Sequence, residues 1–280
     1  MQRAFWDRTL ARRLAVGVAL FCFGFVGVLR AEAWPASLQL ALMRDARRLV
    51  PKTLARLIGD REDQILEEVQ RFPPLLTQLL AADLASGALR PETLEALDAN
   101  ASEAVTLLRQ QRITEGVIRL GATLRIPADL SDPILAVGPE GYPAGVTREY
   151  YAFIEANLGK LPVTLADDKA LLLSHREIPD YWQRLVGQSR QQSGVVGREL
   201  YRGGRVVDHR TIDFRSHVFG VAQISYSRAV TAIAATWLAL WREARGDLTR
   251  QPTPRTVAPV DAPPLPTPPS TLALPPEAEP

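Results

Sequence analysis

Three histidines, one cysteine and a scatter of carboxylates bound the chemistry open to this 280-residue chain. A zinc site draws three or four ligands from His, Cys, Asp and Glu side chains. Asp208 and His209 are adjacent, and Asp213 and His217 stand four apart, a spacing that a helix turns to one face. Together they form one candidate metal site. The competing reading gives the same four residues capping and surface roles at the start of a long helix. His175 lies elsewhere, in His175-Arg176-Glu177 with Asp180 close behind. No serine elbow and no Gly-rich phosphate loop accompanies these residues, which argues against a serine hydrolase or a P-loop nucleotide enzyme. The lone cysteine, Cys22, falls in an apolar run near the start, so the rest of the chain has neither a thiol ligand nor a disulfide.

Amphipathic helices must position whatever these residues do. Aliphatic residues dominate, with many Leu and Ala, which favours helix over sheet. Leu38, Leu42, Ala46 and Leu49 fall at helical spacing, with Arg44, Arg47 and Arg48 on the other side. Pro51 to Ile58 predicts a short helix, and Asp60 an N-cap for a helix over Arg61 to Phe72. Pro73-Pro74 opens a helix that Gly87 closes, and Pro91 starts another reaching Arg112. One apolar stretch from Ile113 to Asp129 follows and ends in the turn Ser131-Asp132-Pro133. Residues 136–146 read as a loop, Thr147 to Leu158 as helix, and Ser174 to Arg202 as one or two helices before a Gly203-Gly204 turn. The longest element spans Ser216 to Arg245 without a proline. Its stripe of Tyr226, Val230, Ile233, Trp237 and Trp241, flanked by Ala, Val and Leu, predicts burial on several sides.

The two ends read differently. Arg8 to Arg13 precede an apolar run from Leu14 to Leu29, and Ala31-Glu32-Ala33 follows as an A-x-A cleavage signature. Sixteen residues are short for a span that needs about 20. Residues 1–33 are therefore read as a signal peptide or an uncleaved N-terminal anchor touching the membrane through residues 14–29. Either form places the body outside the cytoplasm, because the leading arginines stay inside. At the other end, eleven of the 22 prolines fall between Pro252 and Pro280, which predicts a disordered tail over 249–280. The domain between them, 34–248, is close to neutral: residues 1–33 hold five of the 33 basic and two of the 31 acidic residues, leaving 28 against 29. That balance provides no footprint for nucleic acid.

Leu120-Gly121-Ala122-Thr123-Leu124-Arg125-Ile126-Pro127-Ala128-Asp129-Leu130-Ser131-Asp132-Pro133-Ile134-Leu135 resembles a signature of the superfamily of zinc-dependent phospholipase C and S1/P1 nucleases. There an apolar helix carries His-x-x-x-Asp, followed by a Pro-containing turn and a His six residues after the Asp. Trp34 fits too, because those enzymes begin after signal removal at a Trp whose amine and carbonyl bind metal. Tyr151 and Glu155 are similar in spacing to the next pair, His-x-x-x-Glu, and the long final helix resembles the closing helix of bacterial members. The resemblance covers Trp34 to Arg245 and implies an all-α phospholipase C/P1 nuclease-like bundle around a long buried C-terminal helix.

The departures matter more than the matches. Gln39 stands near the first ligand, Arg125 replaces the second histidine, Leu135 the third and Tyr151 the fourth. The family's earlier Asp and His ligands have no recognised counterpart between Asp60 and Asn100. Trp34, Asp129 and Glu155 alone would not hold a trinuclear zinc site. Arg125 is expected either to supply the counter-charge that Asp129 and Glu155 would need without metal, or to point to solvent. The chain is thus expected to be a non-catalytic envelope protein with no cofactor, binding an envelope partner or lipid. The alternatives are an active zinc-dependent phosphoesterase, and a membrane-tethered adaptor acting through its Pro-rich tail. A reporter that works only outside the cytoplasm, fused after Asp247, should be active; activity of a cytoplasm-only reporter at the same site would exclude export.

Overall fold

The computed structural model describes residues 34–137, 141–165 and 167–249. The expectations for residues 1–33 and for the tail from 250 onward lie outside the described residues. Within them the protein is mostly helical, as composition predicts. In chain order the α-helices are α1 (Ala36–Arg47), α2 (Lys52–Gly59), α3 (Glu62–Gln70), α4 (Pro74–Ser86), α5 (Pro91–Arg109), α6 (Ile113–Ala122), α7 (Arg125–Leu130), α8 (Val146–Asn157), α9 (Ile178–Leu200) and α10 (His217–Glu243). The strand content is one antiparallel hairpin, β1 (Tyr201–Arg202) with β2 (Arg205–Val206), pairing Tyr201 with Val206. Gly203 and Gly204 turn it with φ of 57° and 77°, values that a side chain would resist. Among the described residues, no helix is long and apolar enough to cross a membrane.

The core is organised around α10. From Ala229 to Trp241 every side chain is buried, so that stretch has no solvent face at all. Helices α1, α5, α6, α7 and α9 pack on it, along with the 3₁₀ turns Asp168–Leu172 and His175–Glu177. Small residues make this wrapping feasible: Ala229, Ala232, Ala234, Ala235 and Ala239 let neighbours approach, while Trp237 and Trp241 fill the wider gaps. The N-terminus is capped by Ser216, whose Oγ accepts from the Phe219 N–H at 3.3 Å.

Two boundaries differ from the sequence reading. Asp60 does not cap α3: it sits at the C-terminal end of α2, and Arg61 takes the N-cap position without a side-chain cap. The stretch from Ile113 to Asp129 is not continuous but breaks at Thr123-Leu124 into α6 and α7. Pro127 explains the break. Inside a continuous helix its ring would meet the Thr123 carbonyl and its missing N–H would orphan that acceptor. As the third residue of α7 it lies in a first turn, where the N–H is not needed. The kink lets α7 leave the line of α6 and press into the core, with Ile126, Pro127, Ala128, Asp129 and Leu130 all buried.

Ile233 sits fully buried in α10, whereas Leu172 is 75 % exposed. Ile233→Ala should cost about 2–5 kcal/mol of unfolding free energy, and Leu172→Ala close to zero. Chemical denaturation of both variants checks the contrast; equal effects would mean that α10 is not the centre of the core.

Candidate functional site

Helix α7 brings the residues singled out in the sequence to α1 and α8. Arg125 and Asp129 are four apart, and the short helix delivers them to one face: Arg125 Nε donates to Asp129 Oδ2 at 2.6 Å. Both are nearly inaccessible, with side chains 14 % and 4 % exposed. The guanidinium carbon also lies 5.9 Å from the centre of the Phe72 ring. Pro127 therefore does not spoil the spacing, because a single helical turn from Arg125 to Asp129 is intact.

Trp34 is buried beside this pair. Its indole N–H donates to the Ala128 carbonyl at 2.9 Å, and its own carbonyl accepts from Gln39 Nε2 at 2.8 Å. Gln39 in turn accepts from Gln70 Nε2 at 3.2 Å. The Trp34 ring lies 6.2 Å from Tyr151 and 6.4 Å from Tyr226. From α8, the Tyr151 hydroxyl donates to Asp132 Oδ2 at 2.6 Å, and the Ile134 N–H donates to Asp132 Oδ1 at 2.9 Å. Trp34, Gln39, Arg125, Asp129 and Tyr151 thus do converge, on one buried polar seam between α1, α7 and α8.

Two predicted positions fall short. Glu155 does not enter the seam: it is exposed, and its carboxylate accepts from Ser37 Oγ. One turn beyond Tyr151 on α8, it reaches water and needs no guanidinium. Leu135 packs half-buried at the margin of the core, and Asp132, three residues earlier, is the residue that meets Tyr151. Asp132 was missed because Ser131-Asp132-Pro133 reads as a turn, although Asp129 and Asp132 at a spacing of three are a visible signal.

The seam carries more negative than positive charge. Asp129 and Asp132 are both fully buried and share one cation, Arg125. Burial raises the Asp129 carboxyl above its usual range, against the opposing pull of Arg125. Burial likewise pushes Asp132 up to about 7, even though the Tyr151 hydroxyl and the Ile134 N–H favour its ionised form. Asp129 Oδ1 and Ser131 Oγ are buried without a hydrogen-bond partner. As a zinc site the seam does not fit. The Trp34 carbonyl is taken by Gln39, the Asp129 oxygen nearest a cation faces a guanidinium, and no imidazole is present.

The second candidate cluster assembles only in part. Asp208 and His209 meet Glu149 of α8, with one potential ligand atom of each lying within 4.8 Å of the others. Asp213 is not among them, because its carboxylate accepts from the Arg215 N–H at 2.8 Å outside α10. His217 is not among them either; it is the exposed first residue of α10, with Nδ1 3.3 Å from Glu199 Oε1. The helical spacing that grouped Asp213 with His217 fails because α10 begins only at His217. Glu149 was missed because it is 60 residues from His209. His209 Nδ1 lies 2.8 Å from Glu149 Oε2, its backbone N–H donates to the same oxygen, and Arg148 holds Oε1 at 2.9 Å. His209 first, then Arg148, keep the Glu149 carboxyl down to about 2. These contacts satisfy the carboxylate and tie α8 to the segment after β2, so a cation would have to displace Arg148. His175 is also paired, with Nε2 3.1 Å from Asp98 Oδ1.

No protein-family model, curated protein or solved structure matches this chain significantly.

The charge balance of the seam has a measurable consequence. A buried acid whose folded pKa is raised keeps its proton where the unfolded chain has lost it. Between about pH 4 and pH 7 the folded state therefore holds the extra proton, and stability falls as pH rises, by at most about 1.4 kcal/mol per pH unit. Asp132→Asn imitates the neutral acid, since its amide can donate to Tyr151 and its oxygen accept from Ile134. Thermal unfolding from pH 4 to pH 8 should show the variant gaining on the native protein as pH rises. A constant difference across that range would mean that Asp132 does not change ionisation on folding.

Proposed function

We propose that this chain is a non-catalytic, exported protein of the cell envelope, acting by binding or as structure on a zinc-phospholipase-like helical scaffold. The observation that carries the reading is the buried Arg125–Asp129 ion pair, at positions where the resemblance in the sequence would place two metal ligands. A guanidinium is always protonated and cannot donate an electron pair to zinc. Gln39 on the Trp34 carbonyl and Tyr151 on Asp132 further occupy groups that an ion would need. Asp129 is almost fully excluded from solvent and ion-paired to Arg125, which keeps a substrate or water from reaching it as a general base.

Export is supported by the basic, apolar and A-x-A segments of residues 1–33. The rival reading, a working phosphoesterase, would need its metal elsewhere. The grouping of Glu149, Asp208 and His209 offers three ligands but spends the carboxylate on Arg148 and His209.

Zinc content and stability test the proposal together. Protein purified without added metal should hold substoichiometric zinc and unfold at the same temperature with and without a chelator. Arg125→Leu should cost about 3–5 kcal/mol by stranding Asp129, and a matching Asp129→Leu change should recover most of it. Stoichiometric zinc, or hydrolysis of a phosphodiester lost on chelation, would overturn the reading.

A further inference from the structure

A second polar feature lies away from the buried seam, between α9 and α10. Tyr181, Arg184 and Gln188 stand at i, i+3 and i+7 on one face of α9, and Arg228 and Thr231 at i and i+3 on α10. With Asp167 they line a cavity of about 260 Å³. Arg228 is out of character for its helix. It sits half-buried one residue before the stretch in which every side chain is buried, and its Nη1 is buried without a hydrogen-bond partner. Among the described residues no carboxylate lies within ion-pair distance of Arg228 or Arg184. Arg184 instead rests over the Tyr181 ring, 5.5 Å from its centre. Burial depresses the Arg228 pKa, with nothing but Tyr181 opposing it, so the fold bears a desolvation penalty that no internal partner offsets.

A half-buried cation whose Nη1 is buried and unbonded needs an explanation, and the cavity beside it provides one. We infer that the α9–α10 cavity binds a phosphate-type oxyanion, held by the guanidinium groups of Arg228 and Arg184 with the Gln188 amide beside them. Two guanidinium groups against one carboxylate leave the cavity net positive. Planar forks of N–H donors suit the tetrahedral oxygens of phosphate. Asp167 has one oxygen 3.2 Å from the Ala170 N and lines the same cavity, where it favours a headgroup that also bears a hydroxyl or an ammonium. The volume is below the range usual for larger organic ligands and suits a headgroup or a small phosphorylated compound. The inference does not depend on whether the buried seam ever held zinc.

Thermal unfolding with inorganic phosphate, at ionic strength fixed with chloride, reads binding directly. A saturable rise in melting temperature is expected. Arg184→Gln, at an exposed position where folding is not at stake, should weaken phosphate at least about tenfold. Arg228→Met should abolish the response while leaving the phosphate-free melting temperature equal or higher. Sedimentation with phosphatidylglycerol vesicles separates the sources. Binding to them but not to phosphatidylcholine vesicles, reversed by free phosphate, would identify a lipid headgroup, and a phosphate response without vesicle binding would identify a free anion. No saturable shift beyond that of chloride, or a shift unchanged in both variants, would overturn the inference.

Discussion

A helix with no face left to water must be enclosed, and the enclosure of α10 is the constraint on which the rest of this protein rests. Its buried length, from Ala229 to Trp241, is covered by helices drawn from almost the whole chain, and each contributes one apolar stripe. Leu38 and Leu42 of α1, Leu120 of α6 and Leu185 of α9 are all fully or almost fully excluded from solvent. Several of the polar atoms admitted to this interior are paired, although Trp237 Nε1 is buried without a hydrogen-bond partner. Trp182 donates to Thr236 at 3.3 Å, Thr231 to the Ser227 carbonyl at 2.8 Å, and Tyr226 to Asp45 at 2.8 Å. Burying them unpaired would cost more than each bond contributes.

The seam between α1, α7 and α8 follows from that enclosure. Pro127 ends α6, and the new helix enters the wall with Asp129 already committed to the inside. An isolated carboxylate there would be far costlier than a paired one, and Arg125 is one turn away. Asp132 has no cation of its own, so a tyrosine hydroxyl and a backbone N–H serve it, and a retained proton becomes the cheaper solution near neutrality. The same logic, left incomplete, describes Arg228. There the wall contains a cation that forms no ion pair among the described residues.

Local signals in the sequence were readable, and non-local ones were not. Pro51, Pro73-Pro74, Gly87 and Pro91 mark helix ends that the structure has within a residue or two, because proline and glycine act through their own backbone. Arg125 and Asp129 could be paired from their spacing alone. Asp60 misled because an acidic residue before a helix is an N-cap only when its own φ and ψ are extended, and here it still belongs to the preceding helix. The partners of Asp132 and His209 come from α8, 19 and 60 residues away, and no periodicity within one element can announce them. Arg228 stands in the sequence as a charge within a long apolar helix. That no carboxylate comes within ion-pair distance of it, among the described residues, is a property of the packed helices.

The hydrogen bond from Tyr226 to Asp45 joins residues 181 apart, and Thr53 donates to Asp247 across a comparable interval. The element at the centre of the core is also the last helix in chain order among the described residues. Helices α1 to α9 can form as they emerge, yet their apolar stripes have no common partner until residues 217–243 arrive. Packing α10 into that wall draws together residues near both ends of the described domain. A ribosome-bound chain halted before α10 would display the whole inner wall at once. The wall and its filling thus become available in sequence, first the apolar stripes of α1 to α9 and then the helix that joins them.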